Sequence, residues 1–146
     1  MKSGRAARGF TLLEVLFALS LFAIGLLAVA SLQGTALRAA ADAEQRAQAR
    51  AAARSLSEHL LALPFDHPEL RDVDGSGRAG LDDRDAEDSQ ADHRLEPPGQ
   101  AGMRLFWNIA EEDPAPGLKT VRVIAVWPRR DGEQSLSLEF IRTAGF

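Results

Sequence analysis

Between Phe10 and Ala30 lie 21 residues, of which only Thr11, Glu14 and Ser20 are polar. A helix of that length is ~31 Å long, enough to cross a bilayer core of ~30 Å. The run is apolar on all sides, and a chain of 146 residues has little with which to cover it as a core helix. A secretory signal has an apolar core of about 7–15 residues and ends at a small-x-small site. This run is longer, and its single ionised residue sits near its start. The preceding MKSGRAARG holds Lys2, Arg5, Arg8 and no acid. Arg38, Arg46 and Arg50 follow in residues 33–52, so positive charge alone does not orient the span.

Charge is spread unevenly along the rest. The whole chain carries −4, but residues 66–96 alone hold eleven acids against four bases. Residues 10–65 and 97–146 are each neutral. The acidic balance argues against nonspecific nucleic-acid binding, which needs a basic surface. There is no cysteine, hence no disulfide framework, thiolate metal site or cysteine nucleophile.

Glu14 is the anomaly of the apolar run. A carboxylate inside a membrane helix costs up to a few kcal/mol and marks a function by default. The plainer reading is a residue close enough to the headgroups to stay hydrated. Glu14 is four residues after Phe10 and shares its helix face. The stretch Gly9, Phe10, Thr11, Leu12, Leu13, Glu14, Val15, between a basic leader and a long apolar helix, closely resembles the N-terminus of type IV pilins and of the pseudopilins of type II secretion. The tract AIGLLAVASLQ is most similar to V-type minor pilins.

The resemblance implies cleavage by prepilin peptidase between Gly9 and Phe10 and N-methylation of Phe10. It implies that Glu14 pairs with the N-terminal amine of a neighbouring subunit during assembly. It places the leader in the cytoplasm, a single span in the bacterial inner membrane and the C-terminal domain in the periplasm, before transfer to a pilus on the cell surface. The implied partners are other pilin or pseudopilin subunits, met through the N-terminal helix, and the peptidase/methylase. Unlike many major pilins, the chain has no proline from Phe10 to Leu63 to kink this helix, only Gly25 and Gly34. It also lacks the C-terminal disulfide that many of them carry.

Residues 33–63 prolong the helix. Eleven of these 31 residues are alanine, the best helix former, and nothing breaks the pattern before Pro64. Ala36, Ala40, Ala43 and Ala47 form a thin seam that lets neighbours approach closely, while Leu56, Leu60 and Leu63 form a bulkier face that needs cover. Arg38, Arg46, Arg50 and Arg54 read as solvated, and His59 as a partly buried packing residue. Phe10–Leu63 is then one helix ~81 Å long.

The acidic middle contains RDVDGSGRAGLDD. Asp72, Asp74, Ser76, Gly77 and Asp83 fall at positions 1, 3, 5, 6 and 12 of a loop similar to that of EF-hands and dockerins. Calcium is the expected cofactor. Asp72, Asp74 and Asp83 supply carboxylates, Ser76 a hydroxyl and Arg78 its backbone carbonyl, with Asp82 replacing Asp83 if the register shifts. Position 9 is Gly80, which leaves a place for water, and no following helix is evident. A solvated acidic loop is the alternative. Independent support comes from the mutual repulsion of eleven acids, and from a small domain that lacks disulfides. Some pseudopilins use calcium in this way. His67 and His93 lack ligand spacing and read as surface residues.

Three later stretches alternate with period two. Met103, Leu105, Trp107 and Ile109 share a face, as do Val121, Val123, Ala125 and Trp127, and then Leu136, Leu138 and Phe140. In the middle stretch Ile124 and Val126 make the opposite face apolar too. Asp131-Gly132 signals a hairpin. The expectation is an antiparallel meander with its second strand central and both tryptophans in the core, covering the Leu56–Leu63 end of the helix. The fold class is α+β and pilin-like: a long N-terminal helix, about 10–63, on a small three- to four-stranded antiparallel sheet. The boundaries are a leader at 1–9, a membrane or filament-core half-helix at 10–31, an amphipathic half at 32–63, an acidic loop region at 64–102 with its candidate calcium loop at 72–83, and the meander at 103–146.

No enzyme is legible. Ser55 or Ser57 near His59 has nothing to orient a base or bind an oxyanion. The expected function is that of a minor pilin of a type IV pilus. The alternatives are a minor pseudopilin of type II secretion, and a monomeric membrane-anchored calcium-dependent adhesin or sensor.

Overall fold

The computed structural model of the protein describes residues 11–85 and 90–144. Helix α1 runs from Leu12 to Ala62. Thr11 starts it, accepting the Glu14 N–H on both its carbonyl oxygen (3.1 Å) and its hydroxyl (3.4 Å). The chain divides into two compact units, Met1–Glu44 and Gln45–Phe146.

In the first unit the apolar side chains of α1 are exposed: Leu12, Phe17, Leu21, Ile24, Leu27 and Leu32 among them. The hydroxyl groups turn inward on the helix itself. Ser20 donates to the Leu16 carbonyl (2.8 Å), Ser31 to Ala28 (2.8 Å) and Thr35 to Ser31 (2.9 Å). Such back-bonding satisfies a polar group without water, which is what an apolar surrounding demands. The helix is long and apolar enough to cross a membrane.

In the second unit α1 buries one face, made by Ala49, Ala53, Leu56 and Leu60. Steps of four, three and four residues keep them in line. The thin seam at Ala36, Ala40, Ala43 and Ala47 is exposed. The buried face opposes a four-stranded antiparallel sheet in the order β1-β2-β3-β4, with β1 at His93–Leu95, β2 at Arg104–Glu111, β3 at Leu118–Arg129 and β4 at Gly132–Thr143. The three long strands coincide with the three alternating stretches, and β1 adds a short fourth. Leu105, Trp107, Ile109, Val121, Val123, Ala125 and Trp127 join the helix residues in one core. Fully burying a side chain of Leu or Val size contributes about 1.5–3 kcal/mol. The β3–β4 hairpin turns at Arg130 and Asp131, and Gly132, with φ 129°, is already the first residue of β4.

The α1 C-terminus is closed from β4. Arg142 donates through Nη1 to the carbonyls of Leu60 (2.7 Å) and Leu61 (2.6 Å), and through Nη2 to that of Leu63 (2.7 Å). These are carbonyls that a helix end leaves without intrahelical donors. Nearby, the buried Lys119 Nζ donates to the Leu70 carbonyl (2.8 Å) and to Glu111 Oε1 (3.0 Å). Its ammonium also lies 4.8 Å from the centre of the Phe65 ring.

The opposite face of the sheet carries a smaller cluster, Phe106, Ile124 and Val126, against which Ala91 packs. Both faces of β2 and β3 are therefore apolar for a reason. The helix covers one, and the segment after α1 covers part of the other, where Leu81 is also buried.

All three histidines depart from expectation. His59 is exposed, 3.5 Å from the Glu69 carboxylate, rather than partly buried beside the leucines. His67 is half-buried, and its Nδ1 accepts the Glu69 N–H (3.3 Å). His93 is half-buried and stacks on Trp107 with ring centres 5.1 Å apart.

Candidate functional sites: the N-terminal motif and the acidic loop

Gly9 and Phe10 lie outside the described residues. Glu14 is described: exposed, in the first turn of α1. A carboxylate there is favoured by the helix dipole. The spacing Thr11-x-x-Glu14 is also a capping-box signature, readable from the sequence, and the Thr11 hydroxyl accepts the bond such a box requires. Thr11 thus sets where the helix begins, and so how far Glu14 stands from the first helical residue.

The acidic loop folds its first half around its own carboxylates. Asp72 Oδ1 accepts the Gly75 N–H (2.7 Å), and Asp72 Oδ2 accepts the Gly77 N–H (2.9 Å). Asp74 Oδ1 accepts the Ser76 N–H (2.8 Å). Gly77, at loop position 6, has φ 56°, the left-handed conformation in which glycine is at no disadvantage. The second half departs from the expected loop. Residues Gly77–Asp82 form a 3-10 helix. A Cβ on Gly80 would stand 1.7 Å from Ser76 Oγ, so only glycine lets the serine side chain lie there.

Of the predicted ligands, Asp72 and Asp74 are brought together, and the third member of their group is Asp92. Ligand atoms of these three carboxylates lie within 4.8 Å of one another. Asp83 is not in that trio. The Arg78 guanidinium leaves the loop for Asp113, at 3.1 and 3.2 Å. Asp92 lies twenty residues after Asp72 and nine beyond the twelve-residue loop, so no spacing rule within the loop reaches it. Its Oδ1 accepts the Val73 N–H (2.7 Å) and its Oδ2 the Ile109 N–H (2.8 Å), which ties the loop to β2.

Asn108 completes that tie from the sheet. Only 2% exposed, it accepts the Asp92 N–H on Oδ1 (2.9 Å) and donates through Nδ2 to the carbonyls of Leu81 (3.2 Å) and Asp83 (2.8 Å). The C-terminal end of the 3-10 segment and the third carboxylate are thereby held by one side chain. A polar residue inside an alternating apolar strand was the available signal, because a buried amide needs partners.

Electrostatically the group is under stress. Burial pushes the Asp92 carboxyl up, the Ile109 and Val73 N–H groups oppose this, and the charges of Asp72 and Asp74 add to the rise. Asp83 is raised by burial and then by Asp74, Asp92 and Asp82. Asp74 goes the other way, held down by hydrogen bonds from the Ser76 side chain and backbone. An ionised carboxylate oxygen has about two acceptor sites, so the backbone bonds leave capacity for a hard cation. The donor set of three carboxylates with Ser76 nearby fits calcium chemistry.

Residues 4–30 match the prokaryotic N-terminal methylation motif, which is characteristic of type IV pilins and pseudopilins. The match spans Gly9, Phe10 and Glu14 and ends within the apolar half of α1. With the long helix on an antiparallel sheet, the protein is pilin-like in arrangement as well as in its N-terminus. No curated protein and no solved structure matches the chain.

Proposed function

We propose that the protein is a minor pilin, processed by prepilin peptidase between Gly9 and Phe10, methylated on Phe10, and built into a type IV pilus to prime assembly or alter the properties of its tip. The observation that carries this reading is the methylation motif at 4–30, set on a half-helix whose apolar side chains are exposed among the described residues. Such a surface needs lipid or neighbouring helices. Both are supplied if the subunit waits in the inner membrane, leader inside and sheet domain in the periplasm, and then joins a helical filament core. Glu14 pairs there with the amine of an adjacent subunit. The chain is a substrate of processing enzymes rather than a catalyst.

Mass spectrometry of the mature chain tests the processing step. The expected N-terminus is Phe10 carrying one methyl group; a chain beginning elsewhere overturns it. Glu14→Ala tests assembly, with the expected result that the protein stays in the membrane fraction and is lost from sheared filaments. The same motif serves pseudopilins, so a minor pseudopilin of type II secretion is the second reading. It is favoured instead if deletion of the gene abolishes protein secretion while leaving surface pili intact.

The second part of the proposal is that the acidic loop takes calcium through Asp72 and Asp74, with Asp92 as a third carboxylate and with Ser76, the Arg78 carbonyl and Asp83 completing the set. The supporting observation is the convergence of three carboxylates fixed by backbone N–H groups. Calorimetry on the full chain in detergent, titrated with calcium chloride, is expected to show uptake that Asp72→Ala removes. No heat at millimolar calcium overturns the site.

A further inference from the structure

The two margins of the sheet are unlike. β1 is three residues long and is followed, after Glu96, by Pro97 and Pro98. β4 is twelve residues long, about 40 Å of edge at ~3.3 Å per residue. Its register with β3 runs from Arg129↔Gly132 to Leu118↔Thr143 without a skipped residue. Among the described residues nothing pairs with its other side. Such an edge offers rows of N–H and C=O groups to any extended chain, and proteins usually guard it with lysine, proline or a bulge. β4 has none of the three.

Its charges do not guard it either. Glu133 is held by Arg104, Glu139 by Arg122, and Arg142 by the carbonyls of Leu60, Leu61 and Leu63. The centre of the edge, residues 134–138, carries no charged residue. On the helix side Leu136, Leu138 and Phe140 pack against the core while remaining only half-buried. On the other side stand Ser135 and Ser137, both exposed.

We propose that the free margin of β4 receives an extended segment of a different subunit of the same filament, uncharged at its centre and apolar at alternate positions. The inference rests on the filament reading above. Antiparallel pairing with β4 of a second copy is excluded on symmetry. Two β4 strands paired antiparallel are related by a two-fold axis perpendicular to the sheet. That axis reverses the in-plane direction of the α1 segment lying on the sheet, whereas subunits anchored through one kind of N-terminal helix point the same way.

Residue-resolved amide hydrogen exchange tests this on the mature full chain, once in filaments sheared from the producing cells and once purified in detergent. If the chain does not sediment with filaments, its native membranes take their place. The expected result is exchange at least tenfold slower in the assembly at every second residue of 133–142, the alternation that strand pairing requires. Exchange that is unchanged, or slowed evenly along the strand, overturns the proposal. β3 already protects the alternate N–H groups that face it, so it is slow exchange of the outward-facing set in the pure chain that means self-pairing and overturns it too. The double variant Ser135→Lys/Ser137→Lys places charge on the margin at two exposed positions and is expected to abolish the slowing; retention of the slowing counts against the edge. Sedimentation is scored separately. A free β4 in a chain that sediments with filaments sinks this inference alone; a chain that does not sediment sinks the filament reading, and a protected β4 there overturns the occupant named here with it.

Discussion

Leu16 and Leu60 are the same residue type in the same helix, yet the first is 57% exposed and the second wholly buried. Backbone preference does not separate residues 12–44 from 45–62, since both stretches are helical throughout. What separates them is whether the chain supplies a partner surface. The sheet covers one face of the second stretch. Among the described residues nothing covers the first, and a leucine left in water there is a loss rather than a gain. One helix therefore serves two solvents.

The largest expected effect sharpens that contrast. Leu60→Ala removes a fully buried side chain and should cost about 2–5 kcal/mol, read by denaturant unfolding of the mature chain in detergent. Leu16→Ala should leave the same transition unmoved. Equal losses from the two would break the division. Next comes Asn108→Ala, which strips partners from the Asp92 N–H and from the Leu81 and Asp83 carbonyls; a loss of at least about 2 kcal/mol is expected by the same measurement. Arg142→Ala should cost roughly 1–3 kcal/mol and quicken amide exchange at the end of α1.

A smaller effect is one of sign. Asp92 and Asp83 have raised carboxyl pKa values in the fold, so without calcium their contribution is fully present below the ordinary carboxylate value and is lost as pH rises through their folded values. Asp74 is lowered and works in the opposite sense: its contribution is present above the ordinary value and is lost as pH falls through its folded one. Thermal unfolding in a chelator, between pH 4 and 7, should become easier with rising pH for the native chain. Asp92→Asn should flatten that slope, and added calcium should reverse it. The smallest effect is expected of Arg54→Ala. It breaks an exposed i,i+4 pair with Glu58 on the solvent side of the same helix, and should stay within about 0.5 kcal/mol.

Most of the scaffold was legible because periodicity reports burial directly. The helix expected at 10–63 is found at Leu12–Ala62, and each alternating stretch became a long strand. The tryptophans are core residues as expected, at 6% and 5% exposure. The acidic loop was legible only in part. Asp72, Asp74 and Gly77 fit a local spacing rule, and local hydrogen bonds hold them. Asp92 and Asn108 belong to the same site through strand pairing, a relation between distant residues that no single-chain period encodes. Alanine at helical spacing does not by itself say which turns of the helix stand opposite the sheet; Ala49 and Ala53 do, with Ala52 partly buried beside them. His93 was misread because its environment is the ring of Trp107, fourteen residues onward and one strand across.

The clamp from Arg142 to the end of α1 also has a consequence for the order of events during synthesis. The chain emerges from its N-terminus, so α1 is complete some eighty residues before the side chain that closes its last turn exists. Until then the Leu60, Leu61 and Leu63 carbonyls have no guanidinium to bind. The last strand is thus a checkpoint as well as a wall of the sheet: a ribosome that stops short of residue 142 releases a helix whose end is unlatched.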